Sequence, residues 1–500
     1  LFLGLDVGTQ SVRAGLFDAS GRRVALATSA LDTTYPQPGW AEQDPNQWWS
    51  AACAAVPAAL SQAGVAADAV AALGLDSTAC TVVACRNDGI PLHPALLWMD
   101  QRAAVEADEI NATGDAILRW VSGTVSPEWM LPKAKWLQRH RPSVFERADR
   151  IVECTDWLMH RLTGAWTLAL NHVTVKWNHA RPDGGWSRTL LRDLQLERLL
   201  EKWPETIVPL GGGSAELTTE AARALGLRPG LPVAHGGIDA YAGMLGLGAV
   251  KPGILAMILG SSTCHLAMAE TPLLGSGMMG CYPDAVTPGT YTLEGGQTAT
   301  GSILEWYRRH LAGNEAREAE QTGRSVFEVL DAKAAAVPVG CDGVLALDYW
   351  QGARSPRKDA RARGLWWGMT LAHTAGHLVR SVYEATALGT RHILEDLAQH
   401  GLTVGQLCAG GGGAKSRLWM QIHADACGLP IAIPEETESC ALGSAMLAAV
   451  RAGEFPDLPA AARAMVRLAE IVEPNPRHRA EYDALFARYI AAHDALSTIA

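Results

Sequence analysis

The stretch FLGLDVGTQSVRAGLFDASGRRVALATS, residues 2–29, reads as three strands joined by two turns. FLGLDV is apolar apart from Asp6, and Gly8 follows where the chain must turn. SVRAGLFD alternates with the period of a strand. DASGR, residues 18–22, is a hairpin signal, and RVALATS returns. The first turn, DVGTQSVR from Asp6 to Arg13, can offer backbone N–H groups and hydroxyls to a phosphate. Gly8 permits close approach, Thr9 and Ser11 add hydroxyls, and Arg13 adds charge, with Gln10 between them. Asp6, at the strand end, could reach a metal ion through water. A plain hairpin turn with a solvated aspartate accounts for the stretch alone equally well.

Working outward, the same strand–turn–strand pattern recurs. ILAMILGSSTCHLAM, residues 254–268, contains a second polar turn at Gly260, Ser261, Ser262 and Thr263. A third glycine turn, AGGGGAKSRLW (409–419), follows a strand and is expected to open a helix near residue 414. Its candidate contacts are Gly411, Gly412, Gly413, Ala414 and Lys415. Four adjacent glycines seldom arise for packing alone, because each costs backbone entropy. The spacing fits neither a Walker A loop, since Ala414 separates Gly413 from Lys415, nor a dinucleotide fingerprint. Three phosphate-sized turns spread over two halves, with a boundary near 247–252, suggest a nucleotide held in a cleft between two related domains, 1–247 and 248–500.

The rest of the chain fits this reading. Residues 44–59 are expected to be helical, with Asp44 as cap and Pro45 in the first turn. Residues 69–83 read as an apolar strand, followed by a long helical stretch to about 165 and, from about 231, renewed β pattern. The last forty residues read as an amphipathic helix. HGGIDAYAGMLG (235–246) places one acid, Asp239, between a strand and a helix start, where the stretch alone favours a helix cap over a catalytic base. VTVKWNH (173–179) puts Lys176 on an expected strand, and EGGQTATG (294–301) puts Glu294 beside two glycines. Standing alone, the first reads as a snorkelling surface lysine and the second as a turn acid. YWQGARSPRKDARARGLWWGM (349–369) reads mainly as a basic surface loop.

Composition narrows the class. The 500 residues are 48% hydrophobic and 19% charged, with net charge −10. Such length calls for more than one core. The acidic balance argues against a nucleic-acid or anionic-membrane partner, while leaving a local phosphate site open. Ten cysteines form no CxxC pair and no zinc spacing, and they read as reduced core residues of a cytoplasmic protein. No apolar run is long enough to span a bilayer, and no signal peptide is legible.

In order along the chain, DVGTQSVR, PKAKWL (132–137), LGSST, GLWWGM–seven residues–HLVRSVYE (364–384) and GGGAKSRLW resemble the motifs of the FGGY carbohydrate kinases. That family belongs to the sugar-kinase, hexokinase and actin-like superfamily. The resemblance implies an α/β fold of two actin-like, ribonuclease H-like domains with the active site in the cleft between them. It implies ATP and Mg²⁺ as cofactors, a small sugar as substrate, and a homodimer for which no interface is legible. HGGIDAYAGMLG occupies the position of the family's catalytic-base motif, which makes Asp239 the expected base and, with Asp6, a water-mediated neighbour of Mg²⁺. DSTACT (76–81), VKWNH, EGGQTATG, SSTCH and GARSP resemble the ribulokinase group, where the sugar is contacted from the equivalents of Ala79, Lys176, Asp239 and Glu294. Xylulokinases typically carry Gln-Met-His-Gly in place of DSTACT. The expected activity is therefore phosphorylation of a terminal hydroxyl of ribulose, D or L. A xylulose or polyol (ribitol, erythritol) kinase is the alternative, and an actin-like ATPase without sugar ranks below both.

Overall fold

In the computed structural model, residues 1–496 are described. Strands β1 (Phe2–Val7), β2 (Ser11–Phe17) and β3 (Arg23–Ala30) form an antiparallel meander, as their alternation demands. Helix α1 (Pro45–Ala63) follows. Asp44 accepts a hydrogen bond from the Asn46 amide at its start, Pro45 takes the first turn, and left-handed Gly64 ends it. Strand β4 (Ala72–Ser77) then lies parallel to β1, with Asp6 opposite Asp76.

The expected long helix to residue 165 is broken. It contains α2 (Met130–His140) and α3 (Cys154–Thr163), but short strands at Ala95–Leu96 and Arg150–Glu153, each paired with the Val82–Cys85 strand, interrupt it. Pro91, Pro94, Pro127 and Pro142 punctuate the run. The expected strand at 173–179 is also corrected. Leu170–Lys176 is helix α4, and Asn178 turns left-handed just beyond it. Its valine and threonine run favours β by propensity. Here burial on every side and hydrogen bonds from Asn171, His172 and Thr174 to neighbouring segments override that preference.

Two-residue strand β5 (Gly237–Ile238) joins the edge of β4, and α5 (Asp239–Gly246) leaves it directly. The second sheet starts with β6 (Ile254–Leu259) and β7 (Thr263–Ala269), continues through β8 (Gly280–Pro283) and β9 (Tyr291–Gln297), and receives β10 (Gln406–Gly410) after helix α6 (Ala375–Gln399). Helix α7 (Arg417–Cys427), β11 (Ile431–Pro434), α8 (Ser439–Arg451), β12 (Leu468–Val472) and α9 (Arg479–Leu496) complete the chain. The uniform helix expected for the last forty residues is thus interrupted by β12, which pairs antiparallel with β11. The final four residues of that expectation lie outside the described residues.

The two sheets repeat one plan. The first has strand order β5-β4-β1-β2-β3. The second has β11-β10-β6-β7-β9 at its centre, with β12 and β8 added at its edges. In each, the opening strand pairs antiparallel with its successor and parallel with the fourth strand. The sequence-predicted α/β class with two related sheets is what the structure contains. Helix α8 ties them together, since residues Ala441–Ala449 are buried in the core of the first sheet. The approach is backbone to backbone. A Cβ on Gly4 or Gly74 would lie 2.0 Å from the carbonyl oxygen of Ala441 or Ser444, and one on Gly443 would lie 1.9 Å from that of Ala242 in α5. Glycine is required at these positions by space alone.

Candidate active site

Parallel strands β1, β4 and β5 end side by side, and each delivers a carboxylate near its C-terminal end: Asp6, Asp76 and Asp239. Such strand ends are where open α/β sheets leave a crevice. Asp6 and Asp76 are almost fully buried. Burial raises the Asp6 carboxyl against the pull of Arg13, whose Nη1 donates to Asp6 at 2.9 Å. Burial and then the Asp6 charge push Asp76 well above the usual carboxylate range. Ser444 of α8 donates to one Asp76 oxygen at 2.6 Å, while the other, Oδ1, is buried without a donor. Burial and the Asp6 charge push Asp239 up to about 7, only partly opposed by the Ala240 amide, which donates to it at 2.6 Å. Asp239 is the first residue of α5 and Ile238 precedes it as the cap, so the capping role expected of Asp239 is not the one it plays.

The set suits a divalent cation. The Asp6 charge raises both Asp76 and Asp239, and positive charge would relieve that crowding. Among the described residues, no group of three or more His, Cys, Asp or Glu side chains is placed to ligate a metal directly.

The first two phosphate-loop candidates are hairpin turns, and the third joins a strand to a helix. The Gly8 amide donates to the Ser11 carbonyl (3.0 Å), closing a turn with Thr9 and Gln10 at its tip. The Thr9 hydroxyl accepts from Trp98 Nε1 at 2.8 Å. In the second loop, the Gly260 amide donates to the Ser262 carbonyl (2.8 Å), and Thr263 shares a hydroxyl hydrogen bond with Thr300 at 2.9 Å. In the third, Gly411 is left-handed and a short turn over Gly412–Lys415 precedes α7, which Ser416 caps by accepting from the Trp419 amide. The helix therefore starts slightly later than residue 414. The second and third loops border one cavity of about 590 Å³, lined by Gly260, Ser261, Gly412, Gly413 and Lys415. Ala414 is half-buried between those glycines and Lys415. The first loop is not part of that lining. It lies on the aspartate side, and Arg13 is turned to Asp6 and towards Glu438 (3.7 Å) rather than left free.

Sequence reasoning missed the apolar walls of the cavity. Tyr383 of α6 stacks on Trp419 at 5.1 Å between ring centroids, and the Tyr383 hydroxyl donates to Asp331. Both aromatics sit within motifs already singled out, Tyr383 in HLVRSVYE and Trp419 in GGGAKSRLW. Asp331 gave no sequence signal.

The sugar-side candidates also converge. Lys176, at the end of α4, donates to Glu294 Oε1 at 2.8 Å, and the Tyr241 hydroxyl donates to Oε2 at 3.1 Å. Glu294 is therefore mid-strand in β9, not in a turn, and the ion pair joins the two halves of the chain. The Lys176 ammonium lies over the Trp129 ring at 4.9 Å. Glu294 is close enough to Asp239 to contribute to the rise of its pKa. Ala79 is half-buried in the turn after β4. That turn is gripped from both sides. The Cys80 amide donates to Glu153 (2.7 Å), and fully buried Lys133 donates to the carbonyls of Cys80 (2.6 Å) and Leu97 (2.6 Å). Glu153 is itself held by His172 (2.6 Å) and Trp177 (2.5 Å). PKAKWL contained Lys133, but nothing in the sequence gave its partners.

Among the described residues no helix is long and apolar enough to cross a membrane. Comparison with known families matches residues 1–246 to the N-terminal domain of the FGGY family of carbohydrate kinases and residues 255–452 to its C-terminal domain. A ribulokinase of Anoxybacillus flavithermus is 35% identical, over 98% of this chain and 94% of its own. A Xenopus laevis FGGY carbohydrate kinase domain-containing protein is 32% identical, over 96% and 94%. Among solved structures, a xylulose kinase from Rhodospirillum rubrum superposes with TM-score 0.87 and 30% identity, over 100% of this chain and 99% of its own.

Proposed function

The chain belongs to the FGGY family of carbohydrate kinases, which makes it a phosphotransferase acting on an alcohol group, and from that premise we propose that it phosphorylates ribulose at a terminal hydroxyl with ATP. The observation that carries the choice of substrate is the Lys176–Glu294–Tyr241 cluster beside the Ala79 turn and near Asp239. A buried ion pair with spare donors and acceptors suits a polyhydroxylated chain, whose hydroxyls both give and accept hydrogen bonds. The ribulokinase relatives support the same reading.

In this mechanism the domains are 1–247 on the sugar side and 248–500 on the nucleotide side. The adenosine would pack against the third loop in the cavity that Tyr383 and Trp419 help to line, and the amides and hydroxyls of Gly260–Thr263 would hold phosphate oxygens from one side. Gly8–Ser11 holds them from the other. Asp6 and Asp239 would hold Mg²⁺ through water, and the ion, when bound, neutralises phosphate charge. Lys176 and Glu294 orient the sugar. Asp239 accepts the hydroxyl proton as the oxygen attacks, and its raised pKa suits a base working near neutrality. Arg13 serves the phosphates only indirectly, by holding Asp6. Ten free thiols fit a reducing compartment, so the cytoplasm is the proposed location.

The test is Asp239→Asn. Sugar-dependent ADP release should fall at least a hundredfold while nucleotide binding, read by calorimetric titration, is kept. Turnover within threefold of the native enzyme would remove Asp239 from the base role.

A further inference from the structure

Phosphoryl transfer concentrates negative charge between the nucleotide and the acceptor, and a protein cation usually meets it there. Two candidate cations on the cleft are already committed, Arg13 to Asp6 and Lys176 to Glu294. Lys415 borders the nucleotide cavity beside the third loop. Arg354 stands apart. It is half-buried, and among the described residues its guanidinium makes no hydrogen bond or ion pair.

Its loop is fixed against the site. The Ser355 amide donates to the Gly296 carbonyl at 3.1 Å, and the Thr298 hydroxyl donates to the Gly352 carbonyl at 2.7 Å. Gly295 runs so close beneath that a Cβ there would lie 2.9 Å from Ser355 Oγ. Residues 294–300 are the segment that carries Glu294 at one end and, at the other, Thr300, whose amide donates to Ser261 of the second phosphate loop (2.9 Å). Arg354 is thereby held where the sugar side meets that loop. Cys264, directly after the loop, registers its charge. Burial and Glu294 raise the Cys264 thiol, and Lys176 and Arg354 oppose the rise. That thiol also senses Asp239, so the charges of Glu294, Lys176, Arg354 and Asp239 all act at one point.

We propose that Arg354 contacts the phosphoryl group in transit between nucleotide and sugar, and then the phosphate ester of the product. The inference rests on the kinase reading above. In the step, the sugar oxygen forms a bond to the γ-phosphorus as the bond to the β–γ bridging oxygen breaks. The hydroxyl proton passes to Asp239, and ADP leaves with the electron pair. Arg354 stays protonated throughout and supplies charge and paired donors to the equatorial oxygens.

The experiment compares Arg354→Ala and Arg354→Lys with the native enzyme in sugar-dependent ADP release, using whichever ketopentose the native enzyme turns over. Arg354→Ala should lose at least a hundredfold in kcat with the sugar KM within threefold. Added guanidinium chloride at tens of millimolar should restore part of that rate, and the sugar-phosphate product should inhibit more weakly. Three results would each overturn the proposal: kcat kept within threefold, a change confined to the sugar KM, or a kcat loss that guanidinium leaves untouched while product inhibition stays native. Absence of any sugar-dependent turnover in the native enzyme is a different outcome and strikes the kinase reading instead.

Discussion

Replacing Lys176 by Met removes the ammonium from a pair whose side chains are 7% and 13% exposed. The Glu294 carboxylate is left buried without its cation. Breaking such a pair costs about 3–5 kcal/mol. Tyr241 still donates to the other oxygen, which places the loss near the lower end, about 3 kcal/mol. At roughly 2–4 °C per kcal/mol for a domain of this size, scanning calorimetry should show a drop of about 6–12 °C. The second variant, Lys176→Met with Glu294→Gln, removes both charges and should recover most of that loss, leaving about 1 kcal/mol. The sugar KM should rise at least tenfold in both variants, with the ATP KM within twofold. Stability and sugar binding are thus expected to part company in the double variant. A double variant as unstable as the single one would refute the electrostatic reasoning, and an unchanged sugar KM in either would return Lys176 to a structural role.

Four further outcomes follow from the same geometry. Asp239 is pushed up to about 7, and only its ionised form accepts a proton, so at low Mg²⁺ log kcat/KM should fall with unit slope below about pH 7 and level off above it; saturating Mg²⁺ should move the midpoint lower, and a profile flat down to pH 5 at low Mg²⁺ contradicts the assignment. The stability sign runs the other way: the folded pKa lies above the unfolded one, so this contribution is full below about pH 4 and is lost as pH rises through about 7, and thermal melts of Asp239→Asn should lack that part of the fall. Gly443→Ala pushes a Cβ to 1.9 Å from the Ala242 carbonyl and should cost at least about 3 kcal/mol or abolish soluble expression, whereas Gly453→Ala, with open space around it, should cost only its left-handed strain of about 1 kcal/mol, a contrast that urea melts check. Lys133→Met leaves the Cys80 carbonyl without its donor, takes one of two donors from the Leu97 carbonyl, and should raise the sugar KM more than tenfold, with partial recovery in Lys133→Arg; equal rises in the sugar and ATP KM would mean general damage instead.

The repeated strand–turn–strand plan was legible because its signals are local. Alternation fixes a strand, Gly8 and Gly21 mark turns, and the same grammar recurs at residues 254–269. Asp239, Lys176 and Glu294 were legible as candidates through the family resemblance, but not their geometry. An ion pair across 118 positions of sequence leaves no local trace. The strand misread at 173–179 has the same origin, since β-branched residues vote for a strand until Pro283 and Ala285 of the opposite half accept from Thr174 and Asn171. The place of α8 was illegible as well. A helix from near the end of the chain fills the core of the first sheet, and only glycines at positions 4, 74 and 443, each ambiguous alone, record it.

The central claim is that this cleft moves phosphate from ATP to a ketopentose. ADP release by the purified chain should be measured with ATP and Mg²⁺ against D-ribulose, L-ribulose, D-xylulose, L-xylulose and ribitol, each beside a sugar-free control. Release stimulated at least a hundredfold by one of the ribuloses, with the other sugars well behind, is the expected result. Preference for a xylulose or ribitol would contradict the choice of substrate, and ATP turnover indifferent to every sugar would contradict the account itself.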